Sequence, residues 1–254
     1  MASTSVGLSV KTQRCEILSR MASDDSFADI PTCSNIKSTL GSVALRIADI
    51  ATVTGPITFL VITVVLESLQ VEYDRMQDTI SALVWGQHGS LQTVVFYLFA
   101  FTLASLALRL YLFGSSRKDF RAGIFIIALM SVGFIIIAVF PTKAPGALLT
   151  MKALVHRHTA RIIWLLFPLA CLLIASGLQG NSYWSKIRVF TLLTGVLGTA
   201  LFVLGVFVTI SESSWIGALE RVILANGIFW IEVVGIWFLL SNLRHPFIGE
   251  KAQS

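Results

Sequence analysis

Residues Ala122 to Phe140 read AGIFIIALMSVGFIIIAVF, nineteen consecutive positions without a charged side chain. A helix rises ~1.5 Å per residue, so a run of this length approaches the roughly 30 Å of a bilayer's hydrocarbon core. The apolar residues are continuous and do not alternate with polar ones, which favours a membrane helix over a barrel strand. The segment therefore predicts a transmembrane helix.

Five further stretches have the same character and predict five more spans. They run from Val43 to Leu69, Leu91 to Phe113, Thr159 to Leu178, Val189 to Ile210 and Ala218 to Leu240. Together the six runs predict an all-α polytopic membrane protein, a six-transmembrane-helix bundle over residues 43–243. Residues 1–42 are rich in Ser, Thr and Asp and are expected to form a disordered N-terminal tail, while residues 244–254 form a short C-terminal tail.

The composition of the 254 residues supports the same class. Hydrophobic residues make up 55% and charged residues 13%, with a mean hydropathy of +0.80. Soluble domains carry about 25% charged residues, so an ordinary soluble domain is excluded. The net charge of +5 would suggest nucleic acid for a soluble chain. In a membrane protein basic residues mark loops beside anionic lipid, so we expect membrane lipid and no nucleic acid as partner.

The distribution of Lys and Arg predicts the orientation. The side that carries both termini and the second and fourth connections has thirteen of them, and the opposite side has six. The positive-inside rule therefore places both termini in the cytosol and the first, third and fifth connections on the non-cytosolic side. Endomembrane and plasma membrane both remain open as the location.

Polar residues at the ends of the predicted spans form the candidate site. Those singled out are Asp74, Asp78 and Ser81 in the first connection, His156 in the third, and Glu220 and Arg221 at the start of the sixth span. The acidic first connection and the basic third connection are complementary in charge. We expect them to meet at the non-cytosolic rim, with carboxylates gripping Arg221 and His156 while other cations face an anionic lipid headgroup.

Specific chemistry finds little support in the motifs. His88, His156 and His158 are potential metal ligands, but their spacing does not bring three ligands together. We therefore expect neither a metal nor a cofactor. Ser81 with His156 as base has the residue types of acyl transfer, yet no G-x-S-x-G turn surrounds the serine. A hydroxyl that caps the turn towards the second span is the favoured role of Ser81.

Two polar positions lie deep in the sixth span, Asn226 and Glu232. A carboxyl at that depth costs roughly 3 kcal/mol on insertion scales, so Glu232 should face the bundle. A packing hydrogen bond is favoured over a proton or substrate path. Near the other boundary, Asp49 is expected to pair with Arg46 one helical turn earlier.

Several short motifs carry a family resemblance. They are Gly55-Pro56, Glu72-Tyr73-Asp74, Thr79-Ile80-Ser81, Phe140-Pro141-Thr142, His156 and Glu220-Arg221. In this order relative to the spans, from about Val43 to Leu243, they resemble the six-span membrane proteins catalogued as domain of unknown function 998. The resemblance implies the fold and lipid-associated work, without a reaction.

Three functions remain open on the sequence. The leading hypothesis is a protein that binds or handles lipid through the polar site at the helix ends. The second is a small transporter or proton-coupled carrier that uses Glu232 with Asn226, although the two halves show no convincing repeat. The third is a structural scaffold subunit, and a second copy or another membrane protein is open as its partner.

Overall fold

The computed structural model describes residues 33–180, 184–211 and 213–244. The predicted N-terminal tail lies outside the described residues as far as residue 32, and the predicted C-terminal tail lies outside them from residue 245 onward. Contacts divide the chain into residues 1–47 and 48–254. The first unit contributes the opening turns of one helix, and the second unit contains all other described elements.

Six long helices account for most of the described residues. They are α1 (Cys33–Leu69), α2 (Gly89–Phe113), α3 (Lys118–Val139), α4 (Met151–Gly177), α5 (Ser185–Ile210) and α6 (Ile216–Arg244). A short 3₁₀ helix, Ile80–Trp85, follows the first connection and is called the 3₁₀ segment below. No described residue lies in a strand. All six helices are long and apolar enough to cross a membrane, which confirms the all-α six-span fold.

Two predicted boundaries are wrong. Residues 33–42, predicted as part of the disordered N-terminal tail, form the start of α1. The sequence predicts the start of the fourth span at Thr159, but α4 begins at Met151, so His156, Arg157 and His158 are helical and not part of a loop. Helix α4 begins earlier than its apolar run because a polar residue, Thr150, caps it. Thr150 has an extended backbone, and its hydroxyl accepts a hydrogen bond from the Ala153 amide at 3.2 Å.

Consecutive helices pack as neighbours through hydroxyl groups as well as apolar side chains. The Ser131 hydroxyl of α3 donates to the Ala100 carbonyl of α2 at 2.7 Å. The Trp230 indole of α6 donates to the Thr191 hydroxyl of α5 at 3.0 Å. Such bonds between helices are typical of membrane bundles, where lipid supplies no hydrophobic drive for helix association.

Four phenylalanines form an aromatic layer across the first three helices. The ring centroids of Phe59 and Phe99 are 4.9 Å apart, and those of Phe99 and Phe134 are 4.8 Å apart. Phe96 lies within 6.4 Å of both Phe59 and Phe134. All four side chains are buried, so this aromatic layer joins α1, α2 and α3 in the interior of the bundle.

Helices α1 and α2 approach most closely at Gly55. A Cβ atom at this position would overlap the Thr102 hydroxyl and lie 3.0 Å from the Thr102 Cβ. Thr102 cannot turn away freely, because its hydroxyl donates to the Leu98 carbonyl at 3.0 Å and to the Ala51 carbonyl of α1 at 3.2 Å. Glycine is therefore required here by contact between helices.

The Gly55 contact gives a first test. We expect Gly55→Ala to lower the free energy of unfolding in detergent by about 1–3 kcal/mol, because overpacking forces the helices apart. Gly227→Ala is the matched control, since a Cβ there would lie 3.7 Å or more from its nearest neighbours on Phe167. Equal thermal stability of the two variants would contradict the described packing of α1 on α2.

Candidate functional site

A cluster of charged side chains joins the end of α1 to the start of α6. Arg221 directs two of its nitrogens at one oxygen of Glu67, with Nε at 3.0 Å and Nη2 at 2.7 Å from Oε1. The other oxygen of Glu67 pairs with Nε of Arg75 at 2.9 Å. Glu67 is buried and Arg75 is exposed. We call Glu67, Tyr73, Arg75 and Arg221 the Arg221 cluster.

The remaining donors of Arg221 hold the first connection. Nη1 donates to the backbone carbonyls of Arg75 at 2.8 Å and Asp78 at 3.0 Å, and to the Gly217 carbonyl of its own helix at 2.8 Å. Nη2 also donates to the Tyr73 hydroxyl at 2.7 Å. All three guanidinium nitrogens are therefore engaged, which satisfies a half-buried cation inside the protein.

Tyr73 connects Arg221 to the end of the first connection through hydrogen bonds. Its hydroxyl donates to the Thr79 carbonyl at 2.8 Å while accepting from Arg221, whose guanidinium carbon lies 5.4 Å from the ring centroid. Burial raises the pKa of the Tyr73 phenol, although Arg221 acts in the opposite direction. The hydroxyl thus stays protonated and keeps both of its hydrogen bonds.

The first connection also lies directly against the opening turn of α6. A Cβ on Gly217 would overlap the Asp78 carbonyl oxygen, and the Ala218 amide donates to the Met76 carbonyl at 3.1 Å. The first amides of a helix have no partner within it, so a loop carbonyl satisfies one of them here. Glycine at position 217 permits this approach.

Glu220 fixes the 3₁₀ segment. Its carboxyl accepts from the Ile80 amide at 2.7 Å and hydrogen-bonds the Ser81 hydroxyl. Both Glu220 and Ser81 are buried. The carboxyl therefore caps the start of the 3₁₀ segment from a neighbouring helix, and the Ser81 hydroxyl is held in this cap.

Asp74 and Asp78 stabilise the first connection from within. Asp74 accepts from the Met76 amide at 2.8 Å and from the Gln77 side chain at 3.0 Å, and Asp78 accepts from the Asp74 amide at 2.9 Å. Arg221 meets Asp78 at the backbone carbonyl. The acidic partner of Arg221 is thus Glu67, which was not among the candidate site residues.

His156 lies in a different environment. Its Nδ1 is 2.7 Å from the Phe140 carbonyl and 3.2 Å from the Ile137 carbonyl, both at the end of α3. Carbonyls only accept, so Nδ1 carries the proton and caps α3. Nε2 is buried and has no hydrogen-bond partner in the described part of the chain. Neither Ser81 nor Asp78 is bonded to this ring, so the residues of the acyl-transfer hypothesis are engaged elsewhere.

Cations surround the third connection on the exposed surface. Lys143, Lys152 and Arg157 are exposed, and Arg161 is partly so. No ion pair holds these four side chains within residues 33–180, 184–211 and 213–244. No acidic residue occurs in the sequence between Asp119 and Glu212. We call these four residues the cationic rim, and the Trp85 indole links the 3₁₀ segment to it through the Thr142 carbonyl at 3.1 Å.

The deep polar residues of α6 face neighbouring helices. Asn226 donates to the Thr194 carbonyl of α5 at 3.3 Å. The Glu232 carboxyl lies within hydrogen-bonding reach of the Ile57 amide, directly after Pro56 in α1. Within the described residues, no three His, Cys, Asp or Glu side chains come together to hold a metal ion.

A buried ion pair lies near the opposite boundary. Asp49 of α1 pairs with Arg109 of α2, a partner that the sequence interpretation, which named Arg46, did not include. Both side chains are buried, and the Arg109 guanidinium lies 5.3 Å from the Phe238 ring of α6. The sequence does contain a signal for this pair. Arg109 lies about one helical turn before the end of the apolar run Leu91 to Phe113, and an arginine at that depth needs an acidic partner.

The Arg221 cluster gives a second test. We expect Arg221→Met to lower the free energy of unfolding by about 3–5 kcal/mol, because it leaves the buried Glu67 carboxylate with only the exposed Arg75. Glu67→Gln in the same chain should recover part of the loss, since it removes the uncompensated charge. Arg157→Met, an exposed cation outside the cluster, is the control and should change stability little. Additive effects of Arg221→Met and Glu67→Gln in detergent unfolding would contradict the cluster.

Comparison with known proteins gives a match to a family model. No curated protein and no solved structure matches the chain. The model of the family described as "Protein of unknown function (DUF998)" matches residues 53–237, which include α2 to α5, the second half of α1 from residue 53, most of α6, and the Arg221 cluster. The match covers well over half of the chain, and the resemblance drawn from the sequence motifs is confirmed. The chain belongs to the DUF998 family of membrane proteins.

Proposed function

We propose that this protein binds anionic lipid headgroups along the cationic rim. The observation that carries the proposal is the separation of charge at this end of the bundle. The buried carboxylate of Glu67 is neutralised by Arg221 and Arg75, whereas the cationic rim has no acidic partner in the described residues. An uncompensated group of cations at a membrane boundary attracts anionic headgroups by Coulombic interaction.

Apolar residues beside the cations support an interfacial position. Leu148 is 89% exposed and Met151 is 75% exposed, and both lie between Lys143 and Lys152 in sequence. Apolar side chains that alternate with cations are typical of segments that lie in the headgroup region. The Arg221 cluster contributes indirectly, because it holds the first connection as far as Thr79, directly before the 3₁₀ segment that touches Thr142. The proposed activity is binding and includes no chemical step.

The carrier hypothesis receives less support from the contacts. Asn226 is engaged with α5, and the Glu232 carboxyl lies near the Ile57 amide, with its Oε1 unpartnered among the described residues. Both contacts join helices to each other, as expected for packing. A scaffold role remains the main competitor of lipid binding, and the following experiment separates the two.

Short-chain lipids test the proposal on detergent-purified protein. We expect dihexanoyl phosphatidylglycerol to raise the thermal unfolding temperature more than dihexanoyl phosphatidylcholine does. Lys143→Gln with Lys152→Gln should remove most of that difference. Lys118→Gln with Lys186→Gln makes the same charge change at exposed positions on the other rim and should retain it. High salt should weaken the effect, because the Debye length falls to about 3 Å at 1 M.

Two outcomes would argue against binding at the cationic rim. One is equal stabilisation of the wild-type protein by both lipids. This result would favour the scaffold role over binding of anionic lipid. The other is an equal loss in the two double variants, which would indicate a general response to charge and not a site.

The orientation is a separate part of the proposal, with both termini in the cytosol and the cationic rim on the opposite side. In a cysteine-free background, Lys152→Cys should react with an impermeant maleimide on intact cells or sealed right-side-out vesicles. Lys118→Cys should react only after permeabilisation. Both positions are exposed, so accessibility within the fold does not limit labelling. The reverse pattern would invert the assigned orientation.

A further inference from the structure

Three buried side chains, one each on α1, α2 and α4, carry polar atoms that have no hydrogen-bond partner in the described residues. They are Thr63 of α1, Gln92 of α2 and His156 of α4, which are 3%, 0% and 2% exposed. Within the described part of the chain, the Thr63 hydroxyl, both amide atoms of Gln92 and Nε2 of His156 make no hydrogen bond. We call these three residues the polar layer.

Helical register places the polar layer directly beyond the aromatic layer. Thr63 follows Phe59 by four residues, and Gln92 precedes Phe96 by four, so each lies one turn from its phenylalanine on the same helix face. His156 is bonded to the Ile137 carbonyl, three residues after Phe134. In all three cases the displacement is towards the end of the bundle that carries the 3₁₀ segment.

The 3₁₀ segment lies at the other side of the polar layer. It connects to α2 just before Gln92, packs against α2, and buries Ile80, Ser81 and Leu83. Glu220 fixes its first residues, and the Trp85 indole fixes its last. We therefore place the polar layer between the phenylalanine rings of the aromatic layer and the 3₁₀ segment.

Buried polar atoms in folded proteins are nearly always hydrogen-bonded, to protein, ordered water or ligand. Four unpartnered atoms at one level therefore indicate a hydrogen-bonding occupant. None of the three side chains brings a net charge. A proton on Nε2 of His156 would make a buried cation with no acceptor in the described residues, so we assign the single proton of a neutral ring to Nδ1. The Gln92 amide donates and accepts, Nε2 of His156 accepts, and the Thr63 hydroxyl does both. A neutral hydroxyl group, which also donates and accepts, matches this set.

We propose that Thr63, Gln92 and His156 bind a neutral hydroxyl group between the aromatic layer and the 3₁₀ segment. The hydroxyl comes either from a neutral lipid headgroup such as that of a diacylglycerol, or from internal water. The site differs from the cationic rim in residues and in the charge of its ligand, so the two proposals stand or fall separately.

Matched glycerides provide the probe. Dioctanoylglycerol has one free hydroxyl, and trioctanoylglycerol has the same acyl chains without one. If a lipid supplies the hydroxyl, dioctanoylglycerol raises the thermal unfolding temperature of the detergent-purified protein and trioctanoylglycerol does not. Gln92→Leu should abolish the shift. His156→Asn should abolish it too, because asparagine keeps a donor near the Phe140 carbonyl and removes the acceptor at Nε2.

Ser131→Ala is the control for loss of a buried polar group. Ser131 is buried on the opposite side of the aromatic layer, and its hydroxyl is fully engaged with the Ala100 carbonyl. This variant should have a lower unfolding temperature and keep the full dioctanoylglycerol shift. Loss of the shift in Ser131→Ala as well would overturn the assignment to the polar layer.

The remaining outcomes distinguish a polar layer that binds internal water from a polar layer that binds nothing. If neither glyceride acts, the stability of Gln92→Leu and water exchange at His156 decide. A lower unfolding temperature for Gln92→Leu, together with slow exchange of ¹⁸O-labelled water at His156 in radiolytic footprinting, assigns the hydroxyl to internal water and supports the proposal. A higher unfolding temperature for Gln92→Leu overturns it, because removing truly unsatisfied polar atoms from a core is stabilising.

Discussion

The pair between Arg221 and Glu67 is the interaction on which this end of the bundle depends. A guanidinium that is buried away from water and headgroups is stable only when its donors have protein partners, because hydrocarbon supplies none. Glu67 comes from α1, and the other partners come from the first connection and from α6 itself. One side chain therefore joins the first helix to the last across 154 residues of sequence and sets the path of the loop between α1 and α2.

This arrangement separates the charges instead of pairing the loops. Complementary first and third connections would have cancelled each other's charge at the rim. The structure satisfies the first connection internally, through Arg221 and through the turns that Asp74 and Asp78 stabilise. The cations around the third connection are left facing outward, and His156 turns inward to cap α3. The surface of this end is thus cationic, while the buried carboxylate of Glu67 is paired with Arg221.

The sequence predicted the helices well because hydrocarbon thickness dictates the length of an apolar run. It failed where polar residues continue a helix, as in the first two turns of α4 after the Thr150 cap. It identified Arg221 and Glu220 by their position at a boundary but missed Glu67, since a carboxylate near a helix end is usually solvated. Gln92 gave no sequence signal at all, because its burial depends on how α2 packs against its neighbours.

Helix α1 relates the two boundaries of the bundle to each other. Asp49 and Glu67 are eighteen residues apart, which is five helical turns and a rise of about 27 Å, close to the thickness of the hydrocarbon core. The two carboxylates therefore share one face of α1, and each is buried against an arginine, Arg109 at one end and Arg221 at the other. A slip of α1 along its axis would separate both pairs and leave buried charges uncompensated. The depth of α1 is thus fixed by electrostatics at both ends, while the aromatic layer between them needs only to fill space.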